Sequence, residues 1–201
     1  MDVVLIIFQL VILILSVMVH EVMHGYVAYW LGDNTAKDAK RLNFNPINHL
    51  DLFGSIILPL LLYVSTGGAF VIGWAKPVPY NPYNLKNPKV GAGLIAAAGP
   101  ISNFLIAFMA AIILRTGGLG GIIAPVFLQI TILLNLALMI FNLVPIPPLD
   151  GSKILFSLLP SKWAHIQYAL ERYGIWILIV FIFFGFSLIV PVISTLYGLL
   201  V

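Results

Sequence analysis

A predominantly apolar run from Val3 to about Leu31 carries the pentad His20-Glu21-Val22-Met23-His24 near its far end. It is longer than the ~20 residues a helix needs to cross the hydrocarbon core of a bilayer. Lipid offers no hydrogen-bond partners, so a spanning segment must satisfy its own backbone, and helix is the expected state. An ionisable triplet within one turn is costly at that depth unless it meets a partner. Histidines at i and i+4 stand one above the other on a helix face, where both imidazoles reach a single zinc ion and Glu21 can hold a water beside it. With the histidine and glutamate content of this chain, chance supplies such a pattern only about 0.001 times per chain. The bland alternative is a set of polar residues buried between helices and satisfied by hydrogen bonds. Ser16 and Gln9 continue a polar stripe down the same helix, read as a packing surface or a water path.

Composition agrees with the run. With 61% hydrophobic and 8% charged residues, 201 residues cannot hide their apolar surface in a water-soluble core, so the expected solvent is lipid. The net charge of +3 comes from Lys and Arg scattered over short connecting segments, without the basic stripe and interleaved aromatics of a nucleic-acid binder. No cysteine is present, so disulfides and thiolate ligands are excluded and any metal must use N and O donors. The N-terminus has no basic region before the apolar run, which reads as a retained span and not a cleaved signal peptide.

Along the chain, Gly32-Asp33-Asn34 stops the first span, and 33–51 is polar with turn-formers. The stretch 52–72 is apolar but broken by Gly54, Pro59 and Thr66-Gly67-Gly68, ambiguous between a span and a re-entrant element. Trp74 to Tyr83 is rich in Pro and Asn and reads as extended backbone and turns. Spans are expected at about 91–115 and 121–144, an interfacial helix at 161–172 and a last span at 173–200. Gly117-Gly118 and Gly120-Gly121 read as a tight turn. If 52–72 does not cross, nine of the ten lysines and arginines lie on one side and only Arg115 on the other, a bias that names the cytoplasm. The same assumption brings the far end of the first span and Asp150, which follows the 121–144 span, to one side of the membrane. The expectation is therefore a mainly α polytopic membrane protein, with about four to five transmembrane helices around a buried zinc site. A small membrane-associated β or re-entrant element joins the first and second core helices. The chain reads as one integral membrane domain, 1–201, with a core of about 3–160 and a periphery of 161–200.

Zinc held by two histidines needs a third protein ligand and an open position. Asp2, Asp33, Asp38 and Glu171 lie in segments that read as surface, leaving Asp51 and Asp150 at the flanks of membrane elements. Asp150 is favoured, because the prolines of Asn142-Leu143-Val144-Pro145-Ile146-Pro147-Pro148-Leu149-Asp150-Gly151 break a helix and bring a carboxylate in at membrane depth. A turn or cap aspartate is the alternative; Asp51 reads as the cap of the segment after it. His49 and His165 lack partners at ligand spacing and read as structural or interfacial.

HEVMH in the first core span, Ala98-Gly99-Pro100-Ile101-Ser102-Asn103 in the next and the Asn-x-x-Pro-x-Pro-x-Leu-Asp-Gly pattern in the third resemble the site-2 protease family of intramembrane zinc metalloproteases. The likeness is to its small bacterial or archaeal branch without a PDZ or CBS domain, and it covers about residues 10–160. Pro148 occupies a variable position of the last pattern, and the final span lies outside the likeness. The resemblance implies one Zn2+ held by His20, His24 and Asp150, with Glu21 as catalytic base, in a multi-pass protein of the cell membrane. It implies transmembrane-helix proteins as substrates, no nucleic acid, and an active site toward the cytoplasmic side. Asn142 and Asn103 are candidates for oxyanion stabilisation or substrate positioning, weighed against interhelical hydrogen bonds and packing. An unwound substrate could pair with an edge near 42–48 or 71–80. The rival reading is a catalytically inactive metal-binding scaffold or a metal carrier. Substrate identity and oligomeric state are not readable.

Overall fold

The computed structural model describes residues 3–57, 61, 64–65, 73, 75–117 and 123–201. Its long elements are helices: α1 Val3–Trp30, α2 Pro88–Thr116, α3 Ile123–Leu143, α4 Asp150–Leu158, α5 Ala164–Val180 and α6 Phe186–Leu200. Among the described residues, four helical stretches are long and apolar enough to cross a membrane, Val3–Trp30, Pro88–Thr116, Pro125–Leu143 and Ser161–Leu200. At 1.5 Å per residue, α1 extends about 42 Å, enough to pass the ~30 Å hydrocarbon core and emerge.

The helix boundaries follow local chemistry. Gly32, at φ 103°, ends α1. The amides of Gly32 and Asp33 return to the carbonyls of Tyr29 and Ala28, the paired closure a left-handed residue permits. Asn87 caps α2, its side chain accepting from the Val90 amide, and Pro88 follows at the first helical position, where its missing N–H costs nothing. Asp51 does cap the turn after it, accepting from the Gly54 amide at 2.6 Å.

α2 is the central element, packed against α1, α3 and α4. In lipid there is little hydrophobic gain in bringing helices together, so close approach through small residues supplies the packing. Ala107, Ala110 and Ala111 of α2 meet Ile132, Leu136 and Met139 of α3 in the core, with Ile193 and Leu196 of α6 against them.

Three expectations are revised. Among the described residues no strand forms: Leu52–Ile57 is a π-helical turn, 75–81 is neither helix nor strand, and most of the remainder of 52–72, where the re-entrant element is expected, lies outside the described residues. Residues 161–172 are not a separate interfacial helix, because the chain runs helically from Ser161 to Leu200, through a π-helical turn at Phe181–Gly185. Gly174 does not end that helix; its missing side chain lets α5 rest on Pro147, 2.6 Å from where a Cβ would stand. Asp33 is not a surface residue but fully buried.

Candidate metal centre

α1 brings His20 and His24 to one face, their rings edge to face with centroids 4.7 Å apart. α2 meets that face at Gly99, where a Cβ would stand 2.6 Å from His24 Cε1 and overlap the His20 ring. A side chain there would push the helices apart or turn the rings. Asp150 arrives from the other direction. The chain leaves α3 at Leu143, turns through Val144–Leu149 with a cis Pro147–Pro148 bond, and starts α4 at Asp150, whose carboxylate is favoured by the positive end of the helix. Gly151 lets that first turn press on the end of α3, since a Cβ would lie 2.5 Å from the Val144 carbonyl oxygen.

The three side chains converge. Asp150 Oδ2 lies 3.0 Å from His20 Nε2 and 3.2 Å from His24 Nε2. Behind the rings, His20 Nδ1 is 2.6 Å from Asn103 Oδ1 and His24 Nδ1 is 2.6 Å from the Ile95 carbonyl oxygen. A carbonyl only accepts, so His24 carries its proton on Nδ1. Asn103 donates through Nδ2 to Asn135 Oδ1 at 3.0 Å, which leaves its Oδ1 to accept from His20. Both histidines therefore turn an Nε2 lone pair toward one carboxylate oxygen, three acceptors facing one another across a gap that a cation fits. Zinc with ligand distances of about 2.0–2.1 Å in tetrahedral geometry separates its donors by about 3.3 Å, close to the spacings found. Glu21 joins the two histidines in a group whose donor atoms lie within 4.8 Å of one another, and its Oε2 accepts the Val78 amide at 3.0 Å.

A cavity of about 170 Å³ opens on this group, lined by His20, Glu21, His24 and Asp150 together with Asn142, Val78, Tyr80 and Lys153. Of the two candidate asparagines, only Asn142 faces the cavity, its Nδ2 also donating to the Leu138 carbonyl. Asn103 is fully buried behind His20. His49 is buried away from the group, its Nε2 2.8 Å from the Asn43 carbonyl oxygen. The residues sequence reasoning passed over are Ile95, Asn135, Tyr80 and Lys153. Lys153 had a signal, lying one helical turn past Asp150 and hence on its face.

A model of peptidase family M50 matches residues 8–120 and 118–185. The chain belongs to peptidase family M50. It is 38% identical over 175 residues to a Bacillus subtilis protein named "Putative zinc metalloprotease YwhC", a match covering 83% of this chain and 76% of that one. It is 27% identical over 157 residues to "Zinc metalloprotease MJ0392" of Methanocaldococcus jannaschii, covering 78% of this chain and 36% of that protein. No solved structure matches it. The M50 match takes in His20, Glu21, His24 and Asp150 and runs through α5 and the π-helical turn to residue 185, so it includes the first part of the 173–200 stretch and leaves α6 outside.

Proposed function

We propose that this M50 chain is an intramembrane zinc endopeptidase, hydrolysing peptide bonds within or beside the transmembrane segments of membrane proteins, with its active site toward the cytoplasmic side of the cell membrane. The observation that carries the reading is the meeting of two Nε2 lone pairs and one carboxylate oxygen at 3.0 and 3.2 Å, beside Glu21 and open to a cavity. His20, His24 and Asp150 would hold one zinc ion, which would supply Lewis-acid polarisation of the scissile carbonyl and lower the pKa of an attacking water toward ~7.

The chain's own groups do the rest. Glu21 takes a proton from the attacking water and returns it to the amide nitrogen as the C–N bond breaks, so the base ends each cycle as it began. The Val78 N–H donated to its Oε2 fixes the carboxylate and leaves Oε1 for that proton. Asn142 offers its side-chain amide to the carbonyl oxygen as negative charge develops there. Asn103 and Ile95 keep the imidazoles turned toward the site. A helical substrate has its carbonyls internally bonded, so it must unwind before attack, and the irregular 75–81 segment, whose Pro77, Val78 and Tyr80 line the cavity, offers backbone groups for the unwound piece.

The test uses the full chain purified in detergent. Zinc content and cleavage of a panel of single-span substrates are compared between wild type and Glu21→Gln. Zinc near one per chain in both, with cleavage by wild type alone, is the expected result. Equal cleavage by both would remove Glu21 from the mechanism, and zinc without cleavage by either would favour a binding scaffold.

A further inference from the structure

Lys153 is the only lysine or arginine among the described residues that line the cavity. Its ammonium hangs 6.0 Å from the Tyr80 ring centroid, at the outer limit of a cation–π contact. No carboxylate lies within ion-pair distance of it among the described residues. A cation held at the mouth of a reaction cavity with only a loose aromatic rest is poised for an incoming anion.

The fold says where that anion sits. α4 runs antiparallel to the first half of α2: its Ser157 packs on Gly93, and Lys89 donates to the Leu159 carbonyl at its far end. Lys153 therefore stands one turn from Asp150 in the direction of Lys86 and Lys89, the polar end of α2. One helical turn is about 5 Å, and an extended chain advances about 3.3 Å per residue, so the Lys153 backbone stands one to two substrate residues beyond Asp150.

We propose that Lys153 determines specificity by binding a substrate carboxylate about two residues from the scissile bond, on the side facing the lysine-bearing end. The inference rests on the proteolytic reading above and adds a substrate class to it. The carboxylate has two sources, an Asp or Glu side chain, or the free C-terminus left by an earlier cut.

Single-span peptides carrying Glu or Gln at that position, and peptides ending there in a free carboxylate or a carboxamide, separate them. Equilibrium binding to the zinc-loaded full chain is measured by fluorescence anisotropy, alongside kcat/KM. Wild type is expected to prefer one acidic form over its neutral match by about tenfold, the worth of one charge-assisted hydrogen bond. Lys153→Gln is expected to erase that ratio, and Lys153→Glu to reverse it toward a Lys peptide. Which pair shows the preference names the source. An undiminished ratio in Lys153→Gln, or no preference in wild type, overturns the proposal. If no peptide is cleaved, the protease reading fails on its own terms, while the binding ratio still decides the role of Lys153.

Discussion

Both imidazoles that face Asp150 are held from behind, and the two supports differ in what a mutation can remove. The Ile95 carbonyl is backbone, but Asn103 is a side chain whose loss frees His20 to rotate and leaves Asn135 Oδ1 without its donor. Asn103→Ala is expected to weaken zinc affinity about 10- to 100-fold, measured by competition with a chelator. Asn142→Ala touches neither ring, so zinc affinity is expected to hold while kcat falls about 100-fold. Were both variants to lose zinc equally, the division of roles between the two asparagines would be wrong. Gly99 gives a third case: in Gly99→Ala the new methyl arrives 2.6 Å from His24 Cε1. Overpacking of that kind costs about 1–3 kcal/mol, so a lower Tm together with weaker zinc binding is expected, and an unchanged zinc affinity would show that the rings can yield.

At the scale of elements, the end of α1 is tied to the loop before α2 by one buried carboxylate. Asp33 Oδ1 accepts from the Thr35 hydroxyl at 2.6 Å and from Asn84 Nδ2 at 2.7 Å, and Oδ2 accepts the Asn81 amide at 2.7 Å. Burial opposes ionisation, but donation by Thr35, Asn81 and Asn84 outweighs it and holds the carboxyl below its ordinary range. A lowered folded-state pKa stabilises the fold above the unfolded value of 3.8 and stops doing so as pH falls through the folded value. Asp33→Ala is therefore expected to cost about 2–3 kcal/mol at pH 7, with the gap from wild type closing in acid below that range, as thermal melts in detergent at several pH values would show. A gap independent of pH would mean that packing, not charge, is what Asp33 supplies. This residue also marks where sequence reading stops. The HEVMH pentad is legible because i and i+4 meet by helix geometry alone, and Asp150 because prolines and glycine announce a break in a span. Asp33 has the same local look as any polar residue after a helix, and the partners that tie it to the loop before α2 lie 48 and 51 residues away. Which partner each of the two asparagines meets is set in the same way, by how α1, α2 and α3 pack. The continuity of Ser161–Leu200 was hidden by Trp163, Tyr168 and Arg172, which are as acceptable on an emergent helix as on an interfacial one.

For the molecule as a whole, the expected orientation rests on where the charges fall on the observed helices. Lys37, Lys40 and Arg41 follow the end of α1, Lys86 and Lys89 flank the start of α2, and Lys153 sits in α4, whose far end returns to Lys89. Arg115 stands at the opposite end of α2, its guanidinium donating to the Leu199 carbonyl near the end of α6. Short loops rich in Lys and Arg stay in the cytoplasm, so the end of α1 nearest His24, the start of α2 and α4 are expected to face inward together. The chain has no cysteine, so single-cysteine variants report without background. Lys86→Cys is expected to react with an impermeant maleimide only after the cells are opened, and Arg115→Cys in intact cells. Labelling of Lys86→Cys from outside would invert the protein. It would also place the cavity mouth on the opposite face of the membrane, so that substrates would have to present their cleavage site from outside the cell.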